Sequence, residues 1–114
     1  MAKYEKRLRG NLDEFMAWLH KDITGGSISA SYEDGSDARN GNVQLAVRVY
    51  ERYSMAGGNR VSMSITVMGI DDELFISAIT SGGSQAVFFK LNTLGEESFL
   101  EHCIDSVESY IKSR

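Results

Sequence analysis

Two arginines flank a tyrosine at alternate positions in the middle of the chain, and these side chains are the best suited to hold an anion. Arg48, Tyr50 and Arg52 are spaced two residues apart, and alternate residues of a strand share one face at about 7 Å. Two guanidinium groups at that spacing can bind a carboxylate or phosphate. Arginine mixed with aromatic residues is also typical of protein–protein interfaces. Three interpretations stay open: a contact between copies of the chain, a solvated sheet face, or a site for a small anionic ligand.

A run of small and polar residues, 80–85, separates two apolar stretches and forms the second candidate site. Backbone N–H groups of a glycine-rich loop can surround an anion. The run lacks the lysine and the following helix of a phosphate-binding loop. A turn or bulge, and a contact with a ligand or partner, are both compatible with this pattern. The candidate ligand or interface residues of this region are Ser81, Gly82, Gly83, Ser84, Gln85 and Phe88.

The residue types that most often carry catalysis or metals are few and scattered. His20 and His102 lie on the polar faces of two predicted helices, and neither has a histidine or cysteine three or four residues away. Cys103 lies in the apolar stripe of an acidic helix, where a thiol is inert rather than nucleophilic. The acidic groups 33–37 and 71–73 fall in predicted turns, where aspartate is favoured for local hydrogen bonds. We therefore predict no catalytic residue, no metal site and no cofactor.

Size and composition limit the function classes further. The chain has 114 residues, which is the size of one domain, so we expect a single domain over 1–114. A net charge of −4 argues against a nucleic-acid-binding protein. No apolar run is long enough to cross a membrane. One cysteine and no secretory signal indicate a reducing compartment, so we expect a cytoplasmic protein.

The elements that must position the candidate residues follow from apolar periodicity. Asn11 and Glu14 form a helix-capping pattern before an apolar stripe, and Thr93 with Glu96 forms a second one. Residues 33–42 are polar and predict a loop. The predicted strands are 3–9, 28–32, 43–50, 61–68, 74–81 and 86–91. The order β-α-β-β-β-β-β-α predicts an α+β fold, a two-layer sandwich with two helices on one face of an antiparallel sheet of about five strands.

The central hairpin has a specific predicted register. Pairing Ser54 with Arg60 places valines 47 and 49 opposite Val67 and Ile65, and places Arg48, Tyr50 and Arg52 opposite small polar residues. Apolar side chains then meet apolar ones, which favours this register or one shifted by two residues. The two arginines and the tyrosine would face outward. Strand 74–81 is apolar on both faces, so it must be covered on both faces or meet a partner.

Three stretches of the sequence resemble one known family. They are MAKYEKRLRGNLDEF, AVRVYERYSMAGGNRVSMSITVMG and FISAITSGGSQAVFFKLNTLGEESFL. Together they resemble a family of small bacterial proteins, mainly of Gram-positive anaerobes, known only as a domain of unknown function. The resemblance covers almost the whole chain and implies a bacterial cytosolic protein of stand-alone domain size. It implies no activity, substrate or site residue.

These observations leave three functional hypotheses. The favoured one is a non-enzymatic interaction protein that self-associates through the outer sheet face. The second is a protein that binds a small, possibly anionic ligand between the sheet and the helices or near residues 80–85. The third is an enzyme whose catalytic groups converge from distant segments, which sequence patterns do not reveal.

Overall fold

The fold is α+β, with one antiparallel sheet of five strands and two helices. A computed structural model describes residues 1–26, 30–53, 60–82 and 89–114, with only the backbone for residues 89–94. The strands are β1 (Ala2–Arg9), β2 (Ser31–Asn40), β3 (Val43–Tyr53), β4 (Arg60–Ile70) and β5 (Glu73–Gly82), and the helices are α1 (Leu12–Thr24) and α2 (Phe89–Lys112). The sheet order is β1-β5-β4-β3-β2. The predicted class and the antiparallel two-layer arrangement are confirmed.

Helix α1 begins where the capping pattern predicts. Asn11 is the residue before the helix, and its side-chain oxygen accepts a hydrogen bond from the backbone N–H of Glu14 at 3.0 Å. The predicted apolar stripe of α1 is buried against α2 and β4. Helix α2 packs on β1, β4 and β5. Both helices therefore cover the same face of the sheet, and the core lies between the two layers.

Two predicted elements differ from the structure. The predicted loop 33–42 is strand β2, which reaches Asn40 and is joined to β3 by a turn at Gly41, where φ is +61°. Nearly every residue of β2 is exposed, so this edge strand has no apolar periodicity and depends on backbone pairing with β3. The last predicted strand, 86–91, is helical over 89–91, and residues 86–88 lie outside the described part of the chain. Helix α2 thus starts four residues before Thr93.

The register of the central hairpin is one residue away from the prediction. Arg60 pairs with Tyr53, while Ser54 lies outside the described residues. Because side chains alternate along a strand, a one-residue shift moves every side chain of β3 to the other face. Tyr50 accordingly lies opposite Met63, and Arg48 lies opposite Ile65. The outward orientation predicted for Arg48, Tyr50 and Arg52 is wrong: these side chains face the helices.

Strand β5 shows which of its two apolar faces meets the helices. Leu74, Ile76 and Ala78 are buried in the core, whereas Phe75 is half-buried and Ile79 is exposed on the opposite side of the sheet. The two apolar faces of β5 therefore lie in different surroundings. One face belongs to the core, and the other belongs to a surface on which no described element packs.

Candidate functional site

Tyr50 is part of the core rather than of an outer surface. Its side chain is 1% exposed, and its phenolic oxygen lies 2.9 Å from Nδ1 of His20 on α1. Burial raises the pKa of Tyr50 to about 12, so the hydroxyl keeps its proton near neutral pH. The protonated hydroxyl and the ring nitrogen are at hydrogen-bonding distance. The contact is a tie between α1 and β3.

A third aromatic ring completes a small cluster around this hydrogen bond. Tyr32 of β2 lies 5.7 Å from the His20 ring and 5.7 Å from the Tyr50 ring, measured between centroids. The His20 and Tyr50 rings are 5.8 Å apart. These separations are in the range where aromatic rings attract each other. The sequence pattern places His20 on a polar helix face and gives no sign of this cluster, because its three members come from three different elements.

Arg52 is a buried link between the sheet and α2. Its side chain donates a hydrogen bond to Oγ of Ser98 at 2.9 Å, and its guanidinium carbon lies 4.6 Å from the centre of the Phe99 ring. Burial lowers the pKa of Arg52. A residue that is only 9% exposed offers little of its guanidinium to an external ligand. The arrangement points to a packing role.

Arg48 lies in a cleft between α1 and the β2–β3 hairpin, but an intramolecular carboxylate already occupies it. One of its terminal nitrogens donates to Oδ1 and Oδ2 of Asp37 at 3.0 and 3.3 Å. The other donates to the backbone oxygens of Ser36 and Val47 at 3.3 and 2.8 Å. An anionic ligand would have to displace Asp37. Arg48 and Arg52 share a face as predicted, yet they do not form an open pair of guanidinium groups.

Only the beginning of the second candidate site lies within the described residues. The hydroxyl oxygens of Ser81 and Ser62 are 3.0 Å apart across the β4–β5 ladder. The backbone N–H of Gly82 donates to Oε1 of Glu96 on α2 at 3.0 Å. The first contact joins the end of β5 to β4, and the second anchors it to α2. The remaining candidates of this region, Gly83, Ser84, Gln85 and Phe88, lie outside the described residues.

The other potentially reactive groups are held in structural contacts. Cys103 is fully buried, and burial raises its pKa to about 12, so it is a protonated thiol rather than a nucleophile. His102 places Nε2 2.9 Å from the backbone oxygen of Asp22, near the end of α1. No group of three or more metal-ligating side chains occurs among the residues with a described structure.

No described element packs on the side of the sheet that faces away from the helices, and we call this side the open face. It is formed by alternate residues of all five strands, in the registers of the sheet. Leu45, Met68, Ile70 and Ile79 are 36–39% exposed on it. Its apolar members are Val43, Leu45, Val47, Val49, Tyr53, Met68, Ile70, Phe75 and Ile79. Serine and threonine fill most of the gaps between them, at Ser62, Ser64, Thr66, Ser77 and Ser81.

Charged side chains lie mainly at the two lateral edges of the open face, and the two edges differ in sign. Strand β1 contributes Lys3, Arg7 and Arg9 together with one acid, Glu5. Strand β2 contributes carboxylates instead, at the irregularity between Tyr32 and Asp34. There, Glu33 lies 4.0 Å from the guanidinium of Arg60 on the open face. The open face thus has a basic edge on β1 and an acidic end on β2, with the apolar residues between them and further charges at Glu51, Arg60 and Glu73.

The chain thus has an α+β fold in which two helices cover one sheet face and no described element packs on the other. No helix in the described ranges is long and apolar enough to span a bilayer. The model of a family of unknown function, DUF6054, matches residues 1–111, so the chain belongs to that family. The resemblance drawn from the sequence to a domain of unknown function is confirmed. A comparison with curated proteins finds no match.

Proposed function

We propose that this protein is a non-enzymatic interaction protein that acts as a homo-oligomer, in its simplest form a dimer, through the open face. The proposal rests on the exposed apolar side chains of β3, β4 and β5, which are adjacent in the sheet. Soluble monomers seldom expose a continuous apolar patch of more than a few hundred Å², and larger patches mark interaction sites. Nine apolar residues lie together on this face, with serine and threonine between them.

The dimensions of the open face suit a dimer interface. Strands lie about 4.8 Å apart and rise about 3.4 Å per residue, so five strands of ten residues cover roughly 800 Å². Stable interfaces bury about 800 Å² on each partner. Two such faces can pack as in a β-sandwich, with side chains interdigitating between sheets about 10 Å apart.

The alternative of a small anionic ligand receives less support. One form of it required Arg48 and Arg52 as open guanidinium groups, and the other placed the ligand near residues 80–85, of which 83–85 lie outside the described part of the chain. Arg48 instead binds the carboxylate of Asp37, and Arg52 binds Ser98 beneath α2. We also propose that the protein resides in the bacterial cytosol. This location accords with the family resemblance and with a buried, protonated Cys103.

The test is the native mass of the untagged protein and of variants on two surfaces. We expect the wild type to show twice the chain mass of 12.6 kDa at micromolar concentration. Leu45→Lys introduces a charge at the apolar centre and should give a folded monomer. Ala17→Lys adds the same charge on the exposed side of α1 and should leave the dimer intact.

Circular dichroism confirms that the variants remain folded. A wild type that is monomeric at about 100 μM, where a typical micromolar complex is fully formed, overturns the proposal. So does a Leu45→Lys variant that dimerises as tightly as the wild type.

A further inference from the structure

We infer that two copies stack their open faces about a two-fold axis parallel to the strands, so that β1 of each copy lies over β2 of the other. This inference rests on the proposed homodimer and specifies its geometry. A closed dimer of identical chains uses the same surface on both copies. For two sheets stacked face to face, the two-fold axis lies in the plane between them. When the strands of the two sheets are aligned, as in most β-sandwiches, the axis runs either along the strands or across them.

The two axes bring different strands together. The sheet order is β1-β5-β4-β3-β2. An axis along the strands exchanges the two edges, so that β1 covers β2, β5 covers β3, and β4 covers itself. An axis across the strands places every strand over its own copy and reverses its residues end to end.

Charge favours the axis along the strands. On the open face β1 carries three cations, Lys3, Arg7 and Arg9, against one acid. The acidic side chains of β2, Glu33 and Asp34, lie at the opposite edge. With the axis along the strands, Lys3 of each copy meets the acidic end of β2 of the other, twice by symmetry, while Arg7 and Arg9 lie over the uncharged Ala38 and Asn40. With the axis across the strands, the basic edges meet each other, and juxtaposed like charges oppose association.

The sheet register gives the individual contacts. Asp34 pairs with Val49, Val49 with Ser64, Ser64 with Ile79, and Ile79 with Lys3, so these five residues form one row across the open face. Rotation about the strand-parallel axis keeps each row over itself and reverses its direction. Lys3 of one copy then faces Asp34 of the other, and Val49 faces Ile79.

A second row of the open face also brings apolar residues of the two copies together. Leu45 pairs with Met68, Met68 with Phe75, and Phe75 with Arg7. The same rotation places Leu45 of one copy over Phe75 of the other and Met68 over Met68. Apolar residues therefore meet apolar residues in both rows, while the charged ends of the first row meet opposite charges. Only the charged ends distinguish the two axes. An axis across the strands through Thr66 also places Val49 over Leu45, but it sets Lys3 against Arg7.

The experiment uses two charge-reversal variants of the full chain, Lys3→Glu and Asp34→Lys, studied singly and mixed by native mass spectrometry. Each variant alone places two like-charged pairs in its own dimer. Each exposed ion pair contributes modestly to association and two are lost together, so we expect the dimer to weaken about tenfold. In the mixture, the two substituted positions face each other with opposite charges, and the two native residues do the same. The 1:1 heterodimer should therefore exceed its statistical share.

The matched control mixes Lys3→Glu with Asp13→Lys, which has the same net charges but carries the second substitution on α1, away from the open face. That mixture should show no preferred heterodimer. If the wild type dimerises and Leu45→Lys does not, yet Lys3→Glu and Asp34→Lys mix statistically, the axis is wrong while the interface stands. If the wild type is monomeric, the proposed function itself fails, and this geometry fails with it.

Discussion

Nδ1 of His20 lies 2.9 Å from the phenolic oxygen of Tyr50, and this contact links α1 to β3. The two residues are thirty positions apart in sequence. Tyr50 can reach His20 only if the even-numbered residues of β3 face the helices. The contact therefore requires the β3 orientation in which Val47 and Val49 lie on the open face.

Substitution of Tyr50 by phenylalanine removes this hydrogen bond and keeps the packed ring. We expect Tyr50→Phe to lower the free energy of unfolding by about 1 kcal/mol, the usual net contribution of one hydrogen bond. Urea denaturation measures the change. Tyr53→Phe is the matched control, because Tyr53 is 64% exposed. Equal stability losses in the two variants would contradict a role for the Tyr50 hydroxyl.

The helices and the strands of the central hairpin could be predicted because their signals are local. Asn11, Glu14 and the spacing of apolar residues define the start and the buried face of α1. The alternation along β3 and β4 identifies both as strands. Strand β2 has no such signal. Its polar residues are exposed on both faces, and it is stabilised by backbone pairing with β3.

The orientation of β3, and with it the candidate site, could not be predicted from alternation alone. Hydropathy favours the valines of β3 as its inner face. The structure instead buries Tyr50 and Arg52, because each finds a polar partner on a helix. Those partners, His20 and Ser98, are distant in sequence, so no local pattern reveals them. An apolar outer face remained a correct expectation for β5, where Phe75 and Ile79 lie opposite the core.

Alkaline pH should destabilise the fold through Cys103. Burial raises the pKa of this thiol from 9.0 to about 12. Above pH 9 the unfolded chain releases the proton while the folded chain keeps it, so unfolding becomes more favourable. The thiol's contribution to stability is therefore complete below pH 9 and is lost as the pH rises towards 12.

The free energy of unfolding, measured from pH 8 to about 10.5, tests this prediction. Each titrating group can change that free energy by up to about 1.4 kcal/mol per pH unit. Cys103→Ala removes the titrating group, so its free energy of unfolding should fall less steeply with pH than that of the wild type. Tyr50→Phe should keep most of the wild-type slope near pH 9, since the pKa of Tyr50 rises from 10.0 and its titration in the unfolded chain begins later. Parallel curves for Cys103→Ala and the wild type would contradict this account.

Arg52 should act on stability rather than on ligand binding. Its side chain joins β3 to α2 through the hydroxyl of Ser98 and the face of the Phe99 ring, at 2.9 and 4.6 Å. Arg52→Ala removes the hydrogen bond, the cation–π contact and the packed aliphatic stem, so we expect a loss of about 2 kcal/mol. Arg52→Lys keeps the charge and most of the stem but cannot reproduce the planar stacking, so its loss should be smaller.

Arg60→Ala is the control for Arg52, because Arg60 lies on the exposed side of the sheet and pairs with Glu51 at 3.2 Å, with its side chain 54% exposed. Such surface pairs contribute little, so Arg60→Ala should change stability by less than about 0.5 kcal/mol. Urea denaturation of the three variants gives the ranking. If Arg52→Ala matched Arg60→Ala in stability, the link between β3 and α2 would be unimportant, and the guanidinium of Arg52 would need another explanation for its burial.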